Sequence, residues 1–202
     1  MSDTLETPVS QRFHDALAYA SKLHRTQARK STTIPYVAHL LAVASIVMEA
    51  GGTEDEAIAA LLHDGPEDQG GKKTLDDIRA HFGDDVADIV AACSDTFETP
   101  KPEWEIRKRD YIEHLKTASK GALLVSASDK LHNARATLRD FREHGASVWD
   151  RFTGTREQIL ENYAGLISAY EIGEPDERRR GIVNELRDTI AQLNAYGPAQ
   201  AA

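Results

Sequence analysis

The chain has 202 residues, 41% of them hydrophobic, and a formal net charge of −9. That much apolar material builds a real core and argues against global disorder, while the acidic balance excludes a nucleic-acid binder that works through a broadly basic surface. One cysteine, Cys93, excludes an internal disulfide and any multi-cysteine metal site.

The opening residues, MSDTLETPVSQ, lack a basic segment followed by an apolar run, so no signal peptide is expected. No run of 18 apolar residues occurs, so no membrane span is expected, and the chain reads as a cytoplasmic protein. Almost all periodicity is helical. Phe13, Leu17, Ala20 and Leu23 recur at helical steps. After the polar turn Arg29–Thr33, Pro35 opens a helix over Tyr36–Ala50, which Gly51-Gly52 end. Thr53 with Glu56 three residues later spells a capping box for a helix to about Asp64, stopped near Gly65-Pro66. A loop over Glu67–Lys73 is expected next, then a short helix capped by Thr74. Another starts at Gly83 and ends before Pro100. Further helices are expected over Glu103–Ala118, Gly121–His144, Thr155–Ile172 and Pro175–Ala195, with a frayed tail GPAQAA. About nine helices and no strand pattern predict an all-α fold in a single domain over residues 1–202, with a core over about 10–172 and an extra C-terminal helix over about 175–195.

Four residues in these apolar helices are chemically out of place. His39 shares a helix face with Ala42, Val43 and Ile46. His63-Asp64 closes the apolar run Ala57–Leu62, and Asp129 follows Leu123–Ser128. Buried imidazoles and carboxylates need partners. Each alone has an ordinary explanation: a hydrogen-bonded core histidine, or an ion pair of Asp129 with Lys130 or Arg135. Together, on three helices, two imidazoles and two carboxylates suit one divalent ion such as Mn²⁺, Fe²⁺, Co²⁺ or Zn²⁺; without a thiolate, Mn²⁺ is favoured. Glu67 and Asp68 follow within about one helical turn and are candidates to activate a water. Arg29-Lys30, as an isolated pair, reads as surface charge or as an anion contact. Lys72-Lys73 and Arg107-Lys108-Arg109 read as solvated surface, His24 as structural, and His132 and His144 as ordinary. Trp104 and Trp149 read as packing residues, Trp149 with the option of lining a pocket.

The segments RKSTTIPYVAHLLAVA (29–44), ALLHDGPED (60–68) and SDKLHNAR (128–135) resemble, in this order, the HD superfamily of metal-dependent phosphohydrolases. The likeness spans roughly residues 10 to 170 and is closest to the RelA/SpoT-type hydrolase domain and the small alarmone hydrolases, which remove the 3′-pyrophosphate from guanosine tetra- and pentaphosphate, (p)ppGpp. The resemblance implies that His39, His63, Asp64 and Asp129 hold Mn²⁺ and that Glu67 and Asp68 activate water. It implies that Arg29, Lys30, Asn133 and Arg135 meet a small anionic nucleotide, which Tyr163 and Asn162 approach from the other end. Two departures from the family pattern concern the substrate more than the metal. Gly65-Pro66 stand where the family has two apolar residues, and the Ser31–Ile34 turn is a residue longer and lacks a glycine. Three readings therefore stand side by side: a (p)ppGpp hydrolase, an HD-type hydrolase of another nucleotide or phosphoester, and a non-catalytic nucleotide sensor.

Overall fold

In the computed structural model, residues 9–96, 100–172 and 175–196 are described. Among them the order is α1 (Gln11–Leu23), α2 (Val37–Glu49), α3 (Glu54–Leu62), α4 (Gly65–Asp68), α5 (Gly71–Phe82), α6 (Asp84–Cys93), α7 (Trp104–Leu115), α8 (Lys120–His144), a 3₁₀ segment (Gly145–Arg151), α9 (Arg156–Ile172) and α10 (Glu177–Ala195). The described residues contain no strand, only an isolated bridge between Ala28 and Pro35. The fold is all-α, with nine helices of nine residues or more and the single-turn α4 among the described residues.

Local chemistry explains the boundaries. Ser10, Thr53, Ser119 and Asp176 each accept a backbone N–H at a helix start, and Thr53 with Glu56 completes the capping box. Two expectations need correction. Pro66 does not merely stop α3. It sits in the first turn of α4, where its missing N–H costs nothing, so Glu67 and Asp68 lie on a helical turn rather than in a loop. Thr74 does not cap α5 but lies inside it. Gly70 and Gly71, at φ 124° and 61°, make the turn that starts α5, and the Thr74 hydroxyl donates back to the Gln69 carbonyl at 2.7 Å. The expected break at Gly173-Glu174, the tail after Tyr196 and the first eight residues lie outside the described residues.

α3 and α8 form the centre. From Ala57 to Leu62 every residue of α3 is buried, because the helix packs against α1, α2, α6 and α8. α8 packs against α2, α3, α6 and α10. The absence of a side chain at Gly121 lets α8 approach: a Cβ there would stand 3.0 Å from Ile89 Cδ1 and 3.1 Å from Glu56 Oε1. Arg178 reaches from the start of α10 to Glu56 Oε2 at 2.8 Å, so the last helix is tied to the central one. The consequence for function is positional. The buried face of α2, the C-terminal end of α3 and the middle of α8 meet, and each brings one or two of the misplaced polar residues.

Candidate metal centre

His39 projects from α2, His63 and Asp64 from the α3–α4 junction, and Asp129 from α8. His39 Nε2 lies 3.3 Å from Asp64 Oδ2 and 3.2 Å from Asp129 Oδ1. His63 Nε2 lies 3.1 Å and 3.7 Å from the same two oxygens. Ligand atoms of His39, His63 and Asp129 fall within 4.8 Å of one another. The histidines are 1% and 2% exposed, yet both Nε2 atoms lack a hydrogen-bond partner. They stand close to carboxylate oxygens without donating to them, which is the geometry of lone pairs and anions aimed at a shared point.

The electrostatics carry the same message. Burial alone would lower the proton affinity of His63, but the Asp64 and Asp129 carboxylates outweigh it and hold the ring well above its ordinary range. Burial would raise Asp64 and Asp129. The His63 and His39 rings hold Asp64 well below the usual range, and Lys130 with both rings does the same for Asp129. A positive charge belongs at the centre of this cluster, and a divalent cation fits the two-nitrogen, two-oxygen donor set.

Surrounding groups orient every one of these side chains. His63 Nδ1 donates to the Ala60 carbonyl at 2.9 Å, which aims Nε2 into the cluster. His39 Nδ1 meets His132 Nδ1 at 2.8 Å. Burial and the neighbouring His39 push His132 down to about 4, so it is neutral. Tyr36 donates to Asp64 Oδ2 at 2.6 Å; Lys130 Nζ and Asn133 Nδ2 hold the two oxygens of Asp129 at 2.6 Å and 2.5 Å. His24 is structural in a useful sense. It stacks on Tyr36 at 5.1 Å and contacts Gln27 at 2.7 Å, and Gln27 donates to Asp68 at 2.7 Å.

Glu67 sits one turn beyond Asp64 and accepts from Lys101 at 2.9 Å. Burial, then the nearby Asp95 carboxylate, push its proton affinity up. Beside the centre opens a cavity of about 610 Å³, walled by His39, Asp68, Arg29, Lys30, Lys130 and Asn133, with Trp104, Asn162 and Tyr163 also in its lining. Its wall is rich in cations although the chain is acidic, so the local field favours an anion. Arg29 and Lys30 stand on the 29–34 turn, which the Arg29–Ile34 and Tyr36–Gln27 backbone bonds close. Ser31 takes φ 58° there, a left-handed position that a glycine would occupy without strain. The Arg29 guanidinium lies 5.7 Å from the Tyr36 ring centre and donates to Asn133 at 2.5 Å.

Arg135 points elsewhere: it pairs with Glu185 of α10 at 2.5 Å and is not part of the cavity wall. Lys108, read from sequence as surface, lines the cavity, and with Arg107 it holds the buried Asp95 at 2.8 Å and 2.5 Å. Arg109 does pair at the surface, with Asp110. Trp149 packs on Phe141 and Phe152 rather than lining the cavity. Sequence reasoning passed over Tyr36 and read His132 as ordinary, while Lys130 pairs with Asp129 as the sequence allowed. His132 follows Asp129 by three residues on one helix, so its shared face was a readable signal; nothing local announces Lys108.

Comparison with known proteins places the chain in a family. The HD domain family model matches residues 16–160. The guanosine-3′,5′-bis(diphosphate) 3′-pyrophosphohydrolase MESH1 of Xenopus tropicalis is 42% identical over 152 residues, covering 74% of this chain and 76% of its own length. Human MESH1 is 35% identical over 162 residues, covering 73% and 88%. A solved structure described as a metazoan orthologue of SpoT that hydrolyses ppGpp superimposes with a TM-score of 0.75 at 30% identity, covering 93% of this chain and 98% of that one. No helix among the described residues is long and apolar enough to cross a membrane.

Proposed function

The chain belongs to the HD-domain family, and from that membership we propose that it removes the 3′-pyrophosphate from guanosine 3′,5′-bis(diphosphate). The observation that carries this reading is the pair of buried, unpartnered imidazole nitrogens facing two carboxylates at the edge of a cation-walled cavity. The identity to MESH1 proteins supports the substrate.

His39, His63, Asp64 and Asp129 would hold the ion, and the absence of a thiolate in the set favours Mn²⁺. Such an ion, when bound, lowers the pKa of water and polarises a phosphoryl oxygen. Asp68, which lines the cavity, and Glu67, its neighbour on α4, would take the proton of the attacking water. Burial and the Asp95 carboxylate raise the proton affinity of Glu67, which suits a proton acceptor. Arg29, Lys30 and Lys130 present positive charge to the diphosphate, and Asn133 is shared between Arg29 and Asp129, linking the nucleotide side to the ligand side. Water adds to the phosphorus attached to the ribose 3′-oxygen, that P–O bond breaks, the 3′-oxygen takes up a proton, and pyrophosphate leaves.

The test is incubation of the purified protein with Mn²⁺ and a nucleotide panel including ppGpp. Pyrophosphate released from ppGpp is the expected result. Phosphate released from other nucleotides alone would favour a different hydrolase, and tight binding without turnover a sensor.

A further inference from the structure

The cavity extends well past the metal centre, and its far end has its own chemistry. α8 runs along it as a ruler. Asp129, Asn133, Ala136 and Asp140 fall on one face, and the eleven steps from Asp129 to Asp140 make about three full turns, about 16 Å along the axis. Asn133, Ala136 and Asp140 all line the cavity. The Asp140 side chain is 16% exposed, and its two oxygens accept from Arg139 at 2.9 Å and from Arg151 of the 3₁₀ segment at 2.7 Å, both of which also line the cavity. Burial would raise its proton affinity, but the two guanidiniums outweigh that and keep it ionised. It is thus an acceptor-only group fixed in direction, with lone pairs to spare. Val148, Phe152 and Ile159 supply an apolar wall at the same end.

We propose that Asp140 is the base-reading residue of this cavity, accepting from the N1–H and 2-amino groups of guanine. The inference rests on the activity proposed above. With the 3′-diphosphate at the metal end, ribose and base extend along α8 away from Asp129. Guanine presents two adjacent donors that match the two oxygens of one carboxylate, whereas adenine presents an acceptor at N1 and meets a repulsion. The 5′-diphosphate is the competing occupant. It suits this end less well, because both guanidiniums are already paired with the Asp140 carboxylate, which would repel a diphosphate, and the adjoining wall is apolar, which fits a flat ring.

The experiment compares kcat/KM of the Mn²⁺-loaded protein for ppGpp, its hypoxanthine counterpart (lacking the 2-amino group) and its adenine counterpart, in the native protein and in Asp140→Asn. The native protein is expected to lose about 10-fold without the 2-amino group and about 100-fold or more with adenine, the scale on which polar sites discriminate. In Asp140→Asn the guanine preference is expected to collapse to within about fivefold, the ppGpp rate falling and the adenine rate rising as the repulsion at N1 is removed. A merely structural role for Asp140 would lower all three substrates together and leave the ratios unchanged, which overturns the proposal. So would a gain for all three, which would seat the 5′-diphosphate beside the freed arginines. If the variant does not fold, indifference of the native protein to the three bases is enough to reject the idea. Failure of the native protein to release pyrophosphate from any of them would reject the activity itself along with it.

Discussion

Removing the Asp129 side chain separates two roles that the structure assigns to it. Asp129 faces both imidazole nitrogens with Oδ1 and pairs with Lys130 through Oδ2 at 2.6 Å, with the Lys130 side chain only 21% exposed. In Asp129→Ala the Lys130 ammonium loses its partner in a largely buried position. Breaking a buried pair costs about 3–5 kcal/mol; the remaining exposure of Lys130 and the relief of repulsion from Asp64 argue for the lower end, about 3 kcal/mol. At roughly 2–4 °C per kcal/mol for a chain of this size, the metal-free variant should melt roughly 6–12 °C below the metal-free native protein. Added Mn²⁺ should stabilise the native protein by about 2.7 kcal/mol at a hundred times its Kd, and should not stabilise the variant. Calorimetric melts of both proteins, after chelation and after Mn²⁺ addition, measure the two effects separately. Adding Lys130→Met to Asp129→Ala should recover part of the metal-free loss, because it removes the stranded charge. An Mn²⁺-induced rise in Asp129→Ala as large as in the native protein would refute the assignment of Asp129 as a ligand.

Three further expectations follow from the same geometry. Glu67→Gln should keep the Mn²⁺-induced rise in melting temperature but lose about 10²–10⁴-fold in kcat, the usual worth of a positioned proton acceptor; an undiminished rate would move that role to Asp68 or elsewhere. Asp95, with a 5% exposed side chain held by Arg107 and Lys108, has its carboxyl held below the ordinary range. A depressed folded-state pKa means that its stabilisation is present above the unfolded value of about 3.9 and is lost as pH falls through the folded value. Asp95→Asn should therefore be less stable than the native protein at pH 7, with the gap closing in melts below about pH 4; a gap independent of pH would contradict the ion-pair account. Arg135→Ala should change kcat/KM for ppGpp less than about twofold, since the side chain is committed to an exposed pair with Glu185 worth about 0–1 kcal/mol. A loss above tenfold would put Arg135 in contact with substrate after all.

Particular residues show what was readable in the chain and what was not. The Thr53–Glu56 capping box, the glycines after α2 and the apolar faces of α2, α3 and α8 are short-range patterns, and the helices they specify form where the patterns lie. Pro66 was misread because proline is equally at home at a helix stop and in the first turn of a helix. Only the burial of Gly65 and Pro66 under α5 decides for a new turn.

His39, His63, Asp64 and Asp129 could be picked out by their chemistry alone, since ionisable groups on apolar helix faces are costly without a common partner. Periodicity tells which face of a helix is buried, but not which other face it meets. That α2, α3 and α8 bring these four groups within a few ångströms was decided by helix packing. The same packing turned Lys108 into the cavity through Asp95, turned Arg135 away toward α10, and set Asp140 between two arginines at the far end of α8. Charged side chains on helix surfaces are long and have many rotamers, and their directions are chosen by partners distant in sequence that exist only once the bundle has closed.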